Sequence, residues 1–128
     1  MATRPYEVLS QPGNDYIMVR WAGLLNGDDG EWFTGALSYG DRCFQVAGTF
    51  DTATLAIQGT NFIPPFNGSQ NPTQPLALTD PQGNALSGIN AARIETIMEV
   101  PAAVRPLLTG GAGSTSLTVI FTGRRTIR

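Results

Sequence analysis

Ser116-Leu117-Thr118-Val119-Ile120-Phe121-Thr122 alternates along its whole length. A β-strand turns successive side chains to opposite faces, so Leu117, Val119 and Phe121 look one way and Thr118, Ile120 and Thr122 the other. The segment predicts a half-buried strand. The same period recurs upstream: in residues 16 to 22, Ile17, Val19 and Trp21 share one face and Tyr16, Met18 and Arg20 the other, which assigns Trp21 to a core. In residues 42 to 50, Phe44, Val46 and Phe50 oppose Cys43, Gln45 and Thr49. Residues 52 to 60 put Leu55 and Ile57 inward, and the turn near Asp51 is short enough to predict an antiparallel hairpin joining these last two strands.

Punctuation between the strands agrees with this reading. Fifteen glycines and nine prolines disfavour helices, where each costs about 1 and 3 kcal/mol respectively. Asn26-Gly27-Asp28-Asp29-Gly30 is a polar turn. Residues 61 to 75 hold four prolines, which excludes a central strand and predicts a long surface loop. Residues 76 to 79 resume a short strand, Asp80-Pro81-Gln82-Gly83-Asn84 has turn chemistry, and Ala85-Leu86 begin the return. In residues 89 to 98 a helical stripe competes with a strand at 93 to 98, and the strand is preferred. Pro101 and Pro106 bracket a turn, Leu107-Leu108 open a short strand, and Gly110 to Ser114 form a loop. About eight short strands with regular turn signals predict an all-β chain: an antiparallel β-sandwich or jelly roll of Greek-key type with extended termini. The expected division is an extended N-terminal arm at 1 to 14, one sandwich domain at 15 to 123, and a basic C-terminal tail at 124 to 128.

The charged set narrows function. There are ten carboxylates and eight arginines, with no lysine and no histidine. Without histidine there is no Ser-His-Asp or Cys-His nucleophile pair and no Cys/His zinc site. Cys43 is the single cysteine, so neither an intramolecular disulfide nor a CxxC motif exists; it reads as a small packed residue in a reducing compartment. A net charge of −2 points away from nucleic acid and from anionic membranes, which both call for a basic surplus. The start of the sequence has no charged segment followed by an apolar run, and no stretch is long enough to span a bilayer, so the expectation is a chain that folds in a cytoplasm.

Few constellations promise chemistry. Asp28-Asp29-Gly30-Glu31 lacks the oxygen spacing of a calcium loop and reads as a solvated turn. No second carboxylate is placed opposite it for glycoside hydrolysis. Gly110-Gly111-Ala112-Gly113 lacks the lysine of a phosphate-binding loop. No cofactor or metal is expected. Trp21, Trp32, Phe33, Tyr39, Phe62 and Phe66 are candidate stacking rings for sugar, although Trp21, on the face of Ile17 and Val19, is most simply core. Phe62 and Phe66 flank Pro64-Pro65 in the long loop, where exposed rings hint at an interface; the loop either folds on its own sandwich or docks on another chain. Arg124, Arg125 and Arg128 lie past the last strand, suited to pairing with an acidic protein neighbour.

Four stretches in order carry a family likeness: Phe44-Gln-Val-Ala-Gly-Thr-Phe50, Ala53-Thr-Leu-Ala-Ile-Gln-Gly-Thr-Asn61, Leu76-Ala-Leu-Thr-Asp-Pro-Gln-Gly-Asn-Ala-Leu86, and Val104-Arg105-Pro106 with its close in Ser116-Leu-Thr-Val-Ile-Phe-Thr-Gly-Arg124. Together, over about residues 42 to 125, they resemble the small β-sandwich virion proteins that tailed bacteriophages place on their heads. The resemblance implies a non-enzymatic capsid decoration or cement protein, made in the host cytoplasm, located on the virion surface and bridging copies of the major capsid protein. It also implies self-association as a dimer or trimer, with extended termini as staples. The matching partner contacts would be Arg4, Pro5 and Tyr6 in the arm, Phe62 and Phe66 in the loop, and Arg124, Arg125 and Arg128 in the tail. On that reading, deletion of residues 1 to 14 leaves a folded sandwich that leaves the capsid. The alternatives are another phage structural component, in neck, tail or fibre, and a β-sandwich module that binds surface glycan.

Overall fold

Alternation becomes strand pairing throughout the computed structural model, which describes residues 2–10, 16–36, 39–62 and 74–125. The strands are β1 (Thr3–Arg4), β2 (Glu7–Ser10), β3 (Tyr16–Leu24), β4 (Asp29–Gly30), β5 (Gly40–Thr49), β6 (Thr54–Thr60), β7 (Leu76–Ala77), β8 (Arg93–Thr96), β9 (Ala103–Thr109) and β10 (Ser116–Arg124). They form two five-stranded sheets, ordered β2-β3-β10-β5-β8 and β1-β4-β9-β6-β7. From β3 onward the pairings nest: β3 with β10, β4 with β9, β5 with β8, β6 with β7, every pair antiparallel. A long hairpin whose strand pairs are rolled into two layers has this connectivity, which is that of an eight-stranded jelly roll. The all-β sandwich expected from sequence is the fold observed, with β1 and β2 added at one edge of each sheet.

The inward sets predicted by alternation are the core. Ile17, Val19 and Trp21 of β3, Phe44 and Val46 of β5, Leu55 and Ile57 of β6, and Leu117, Val119 and Phe121 of β10 are all buried. Each such side chain contributes about 1.5–3 kcal/mol on burial. Trp21 keeps its polar atom satisfied, its indole N–H donating to the Glu31 carbonyl at 3.0 Å. Gly30 of β4 exists for space: a Cβ there would stand 2.5 Å from the Pro106 ring and 2.6 Å from Trp21.

Three expectations need correction. Residues 42 to 60 do not form a hairpin, because β5 and β6 belong to different sheets. The chain crosses between the layers at Asp51 and Thr52, both in the left-handed region at φ 44° and 69°. The crossing is held by the Ser114 amide donating to Asp51 at 3.0 Å and the Thr115 hydroxyl donating to the Phe50 carbonyl at 3.0 Å. Alternation marks which face of a strand is buried and is blind to which sheet contains it.

The second correction concerns Pro106, which lies inside β9 instead of at a turn. Val104 and Leu108 donate their amides away from β6, to the carbonyls of Phe33 and Asp28. Pro106 shares their parity, so its missing N–H falls on the side where β4 is only two residues long, and the β6 ladder loses nothing. The third concerns residues 1 to 14. The described part is extended, as expected, but β1 pairs in parallel with β4 and β2 antiparallel with β3. Strands β1 and β2 are thus built into the sandwich.

Candidate partner-binding surface

The acidic turn is a clasp for the N-terminus. Asp28 is buried; its carboxylate accepts from the Ala2 amide at 2.9 Å, the Leu25 amide at 2.9 Å and Arg4 Nε at 2.8 Å. Burial works to raise its pKa, and these donors outweigh it, holding the carboxyl below its ordinary range. Asp29 accepts from the Thr3 hydroxyl at 2.7 Å and from Arg105 at 3.2 Å, and Glu31 accepts from the Tyr6 amide at 3.3 Å. The three carboxylates diverge to separate partners, so the reading of a solvated turn fails at Asp28. Among the described residues no three His, Cys, Asp or Glu side chains converge as ligands for a metal ion.

The opposite edge, where β7 and β8 end their sheets, is different in character. Residues 97 to 101 lace the two layers there: the Ile97 amide donates to the Arg42 carbonyl of β5, and the Met98 amide to the Thr79 carbonyl. Phe62, Leu76, Leu78, Glu99, Val100 and Pro101 line an open cleft of about 530 Å³ on this edge. Leu78 and Pro101 form its buried floor, whereas Leu76 at 75%, Phe62 at 60% and Val100 at 54% exposure are open, and Met98 and Ile94 on the adjoining segment are also more than half exposed. Clustered side chains of this kind mark contact surfaces, whereas single exposed apolar residues do not.

A half-buried carboxylate, Glu99, and a buried guanidinium, Arg42, lie behind this edge. Burial acts to raise the Glu99 pKa, but donation from the Thr79 hydroxyl and from its amide at 2.7 Å, with the Arg42 charge, holds it below the usual carboxylate range. Arg42 is 2% exposed, and its Nε and Nη1 find no hydrogen-bond partner among the described residues. Burial pulls its pKa down and the Glu99 charge opposes that pull. Cys43, next in the strand, is half-buried, and burial pushes its thiol up, away from the reactive thiolate form.

The sequence-derived contact residues are scattered by the fold. Arg4 is committed to Asp28, while Pro5 is exposed beside it. Tyr6 packs edge-on to Trp21 and Phe33, with ring centroids 6.2 and 5.4 Å apart. Arg124 lies within β10, not past it, and pairs with Asp41 at 2.9 Å on the surface, and Arg125 lies 6.0 Å over the Tyr39 ring. Phe66 and Arg128 lie outside the described residues. Of the candidate sugar-stacking rings, Trp21, Phe33 and Tyr39 are buried and Trp32 carries Arg105 on one face at 4.5 Å. Among the described residues, Phe62 alone of the named contacts lines the cleft. Leu76, Met98 and Val100 are not singled out by sequence, because an apolar residue beside a proline, as Leu76 and Val100 are, or within an apolar stripe, as Met98 is, reads equally as core. Comparison with known protein families, curated proteins and solved structures finds no match for the chain.

Proposed function

We propose that this jelly roll is a virion structural protein of a tailed bacteriophage, a decoration or cement protein seated on the capsid exterior and bridging major capsid protein subunits. The observation that carries the reading is the exposed apolar rim of Phe62, Leu76 and Val100 around the cleft at the β7 edge. A rim of this kind takes a protein partner, and the short edge strand β7 offers backbone groups for an added extended segment. The likeness to phage head proteins supplies the partner class, and jelly rolls recur in viral shells, though a fold by itself assigns no function. No catalytic role is proposed. The glycan-binding alternative needs open ring faces, and burial of Phe33 and Tyr39 weighs against it.

The test is retention on particles. The wild-type chain should co-purify with full capsids near the stoichiometry of the shell protein, and Leu76→Asp should fold normally yet lose at least about tenfold in occupancy, the effect of a lost apolar anchor. Full occupancy of Leu76→Asp would remove the β7 edge as the seat. Detection of the labelled chain on necks, tails or fibres alone would replace decoration with another structural role.

A further inference from the structure

Arg93-Ile94-Glu95-Thr96 forms β8, the last strand of its sheet. Its register against β5 pairs Phe44 with Glu95 and Gln45 with Ile94, and the Ile97 amide donates to the Arg42 carbonyl. Backbone groups alternate along an antiparallel strand, so those of 93, 95 and 97 turn to β5 and those of Ile94 and Thr96 turn outward. Among the described residues no strand pairs with that outer side. Of the usual protections of an edge, β8 lacks lysine and proline but is short and carries two charges, Arg93 and Glu95, while Ile94 is 63% exposed.

We propose that β8 is a homodimer seam, in which two copies pair antiparallel around a two-fold axis at Ile94 and join their sheets into one of ten strands. The sequence of the strand is self-complementary in that register. Ile94 meets its own copy as a hydrogen-bonded pair, its amide and carbonyl already aimed across the seam. Arg93 then stands opposite Glu95 of the second copy, and Glu95 opposite its Arg93, so opposite charges meet twice on the same face of the sheet. Within one chain these two residues already touch, Arg93 Nη1 to Glu95 Oε2 at 3.2 Å, and the seam merges the pairs into a four-charge group. A register centred on Thr96 instead sets Glu95 opposite the apolar Ile97 and Arg93 opposite Glu99, whose carboxylate the Thr79 amide and hydroxyl already occupy. The Ile94 alignment is thus the one that pairs both charges of β8, and the two-fold makes the contact isologous. The seam requires nothing from the capsid reading.

Sedimentation equilibrium of the full chain from about 1 to 100 μM measures the association directly. The wild-type protein should be a monomer–dimer system. Arg93→Glu and Glu95→Arg each place like charges twice across the seam and should weaken the dimer at least about tenfold. The double variant Arg93→Glu/Glu95→Arg restores opposite charges and should dimerise again, and mixing the two single variants should give a heterodimer. Ile94→Pro removes only an outward N–H and should yield a monomer with the near-ultraviolet spectrum of the folded wild type. A wild-type monomer over the whole range, a trimer, a dimer indifferent to Arg93→Glu, or a folded double variant that stays monomeric would each overturn the seam.

Discussion

Asp28 illustrates how one side chain ties separate parts of a sheet. Three donors converge on a carboxylate that water barely reaches, and removing an acceptor leaves those donors unsatisfied. Asp28→Ala should therefore cost about 1–3 kcal/mol in urea unfolding. Arg42 predicts the opposite sign. Its buried guanidinium has two nitrogens without partners among the described residues, and replacing an ill-compensated buried charge by an apolar side chain of similar length is neutral or stabilising. Arg42→Met should leave the urea midpoint unchanged or raise it, and a clear fall would show that the charge is compensated. The acid limb follows from the carboxyls. Asp28 and Glu99 have folded values below their ordinary ones, so their contribution is present in full above the unfolded values near pH 4 and is lost as pH falls through the folded values. Without histidine, stability should be flat between about pH 6 and 8 and drop in acid, and Asp28→Asn should flatten that drop when midpoints are plotted against pH.

At the level of elements, β1 and β2 change what a deletion should do. Removing residues 1 to 10 strips an edge strand from each sheet, uncovers the Tyr6 contacts to Trp21 and Phe33, and leaves Asp28 without Ala2 and Arg4. The expected result is a loss of about 3 kcal/mol or more in chemical unfolding, in contrast to the intact sandwich that a free arm would leave behind. The strands themselves were legible because Ile17, Val19 and Trp21, or Leu117, Val119 and Phe121, repeat at the period of two that burial on one face demands. Their partners were not. Phe44 and Leu55 carry the same inward signal whether they lie side by side in one sheet or face each other across the core, and the sequence near Asp51 favours a tight turn in either case. The contact surface was less legible still, since Leu76 and Val100 differ from core residues only in what fails to cover them.

For the whole molecule, the nested order of the strand pairs has a consequence for assembly of the chain. β10 lies between β3 and β5 at the centre of its sheet, yet it is the last of the three to be synthesised. Until Ser116 to Arg124 emerges, β3 and β5 both present open backbone toward a gap between them, and the outer pair of the nest cannot close. Contacts so distant along the chain make folding slow, on the order of milliseconds to seconds for domains dominated by non-local pairing. Chains ending at Gly113 should be cut rapidly by protease under conditions where the full chain resists, and equal resistance would show that the remaining strands close without β10. Completion of the sandwich is thus coupled to translation through residue 124: until β10 emerges the nascent chain keeps an open, adhesive sheet edge, and with β10 it closes in one step.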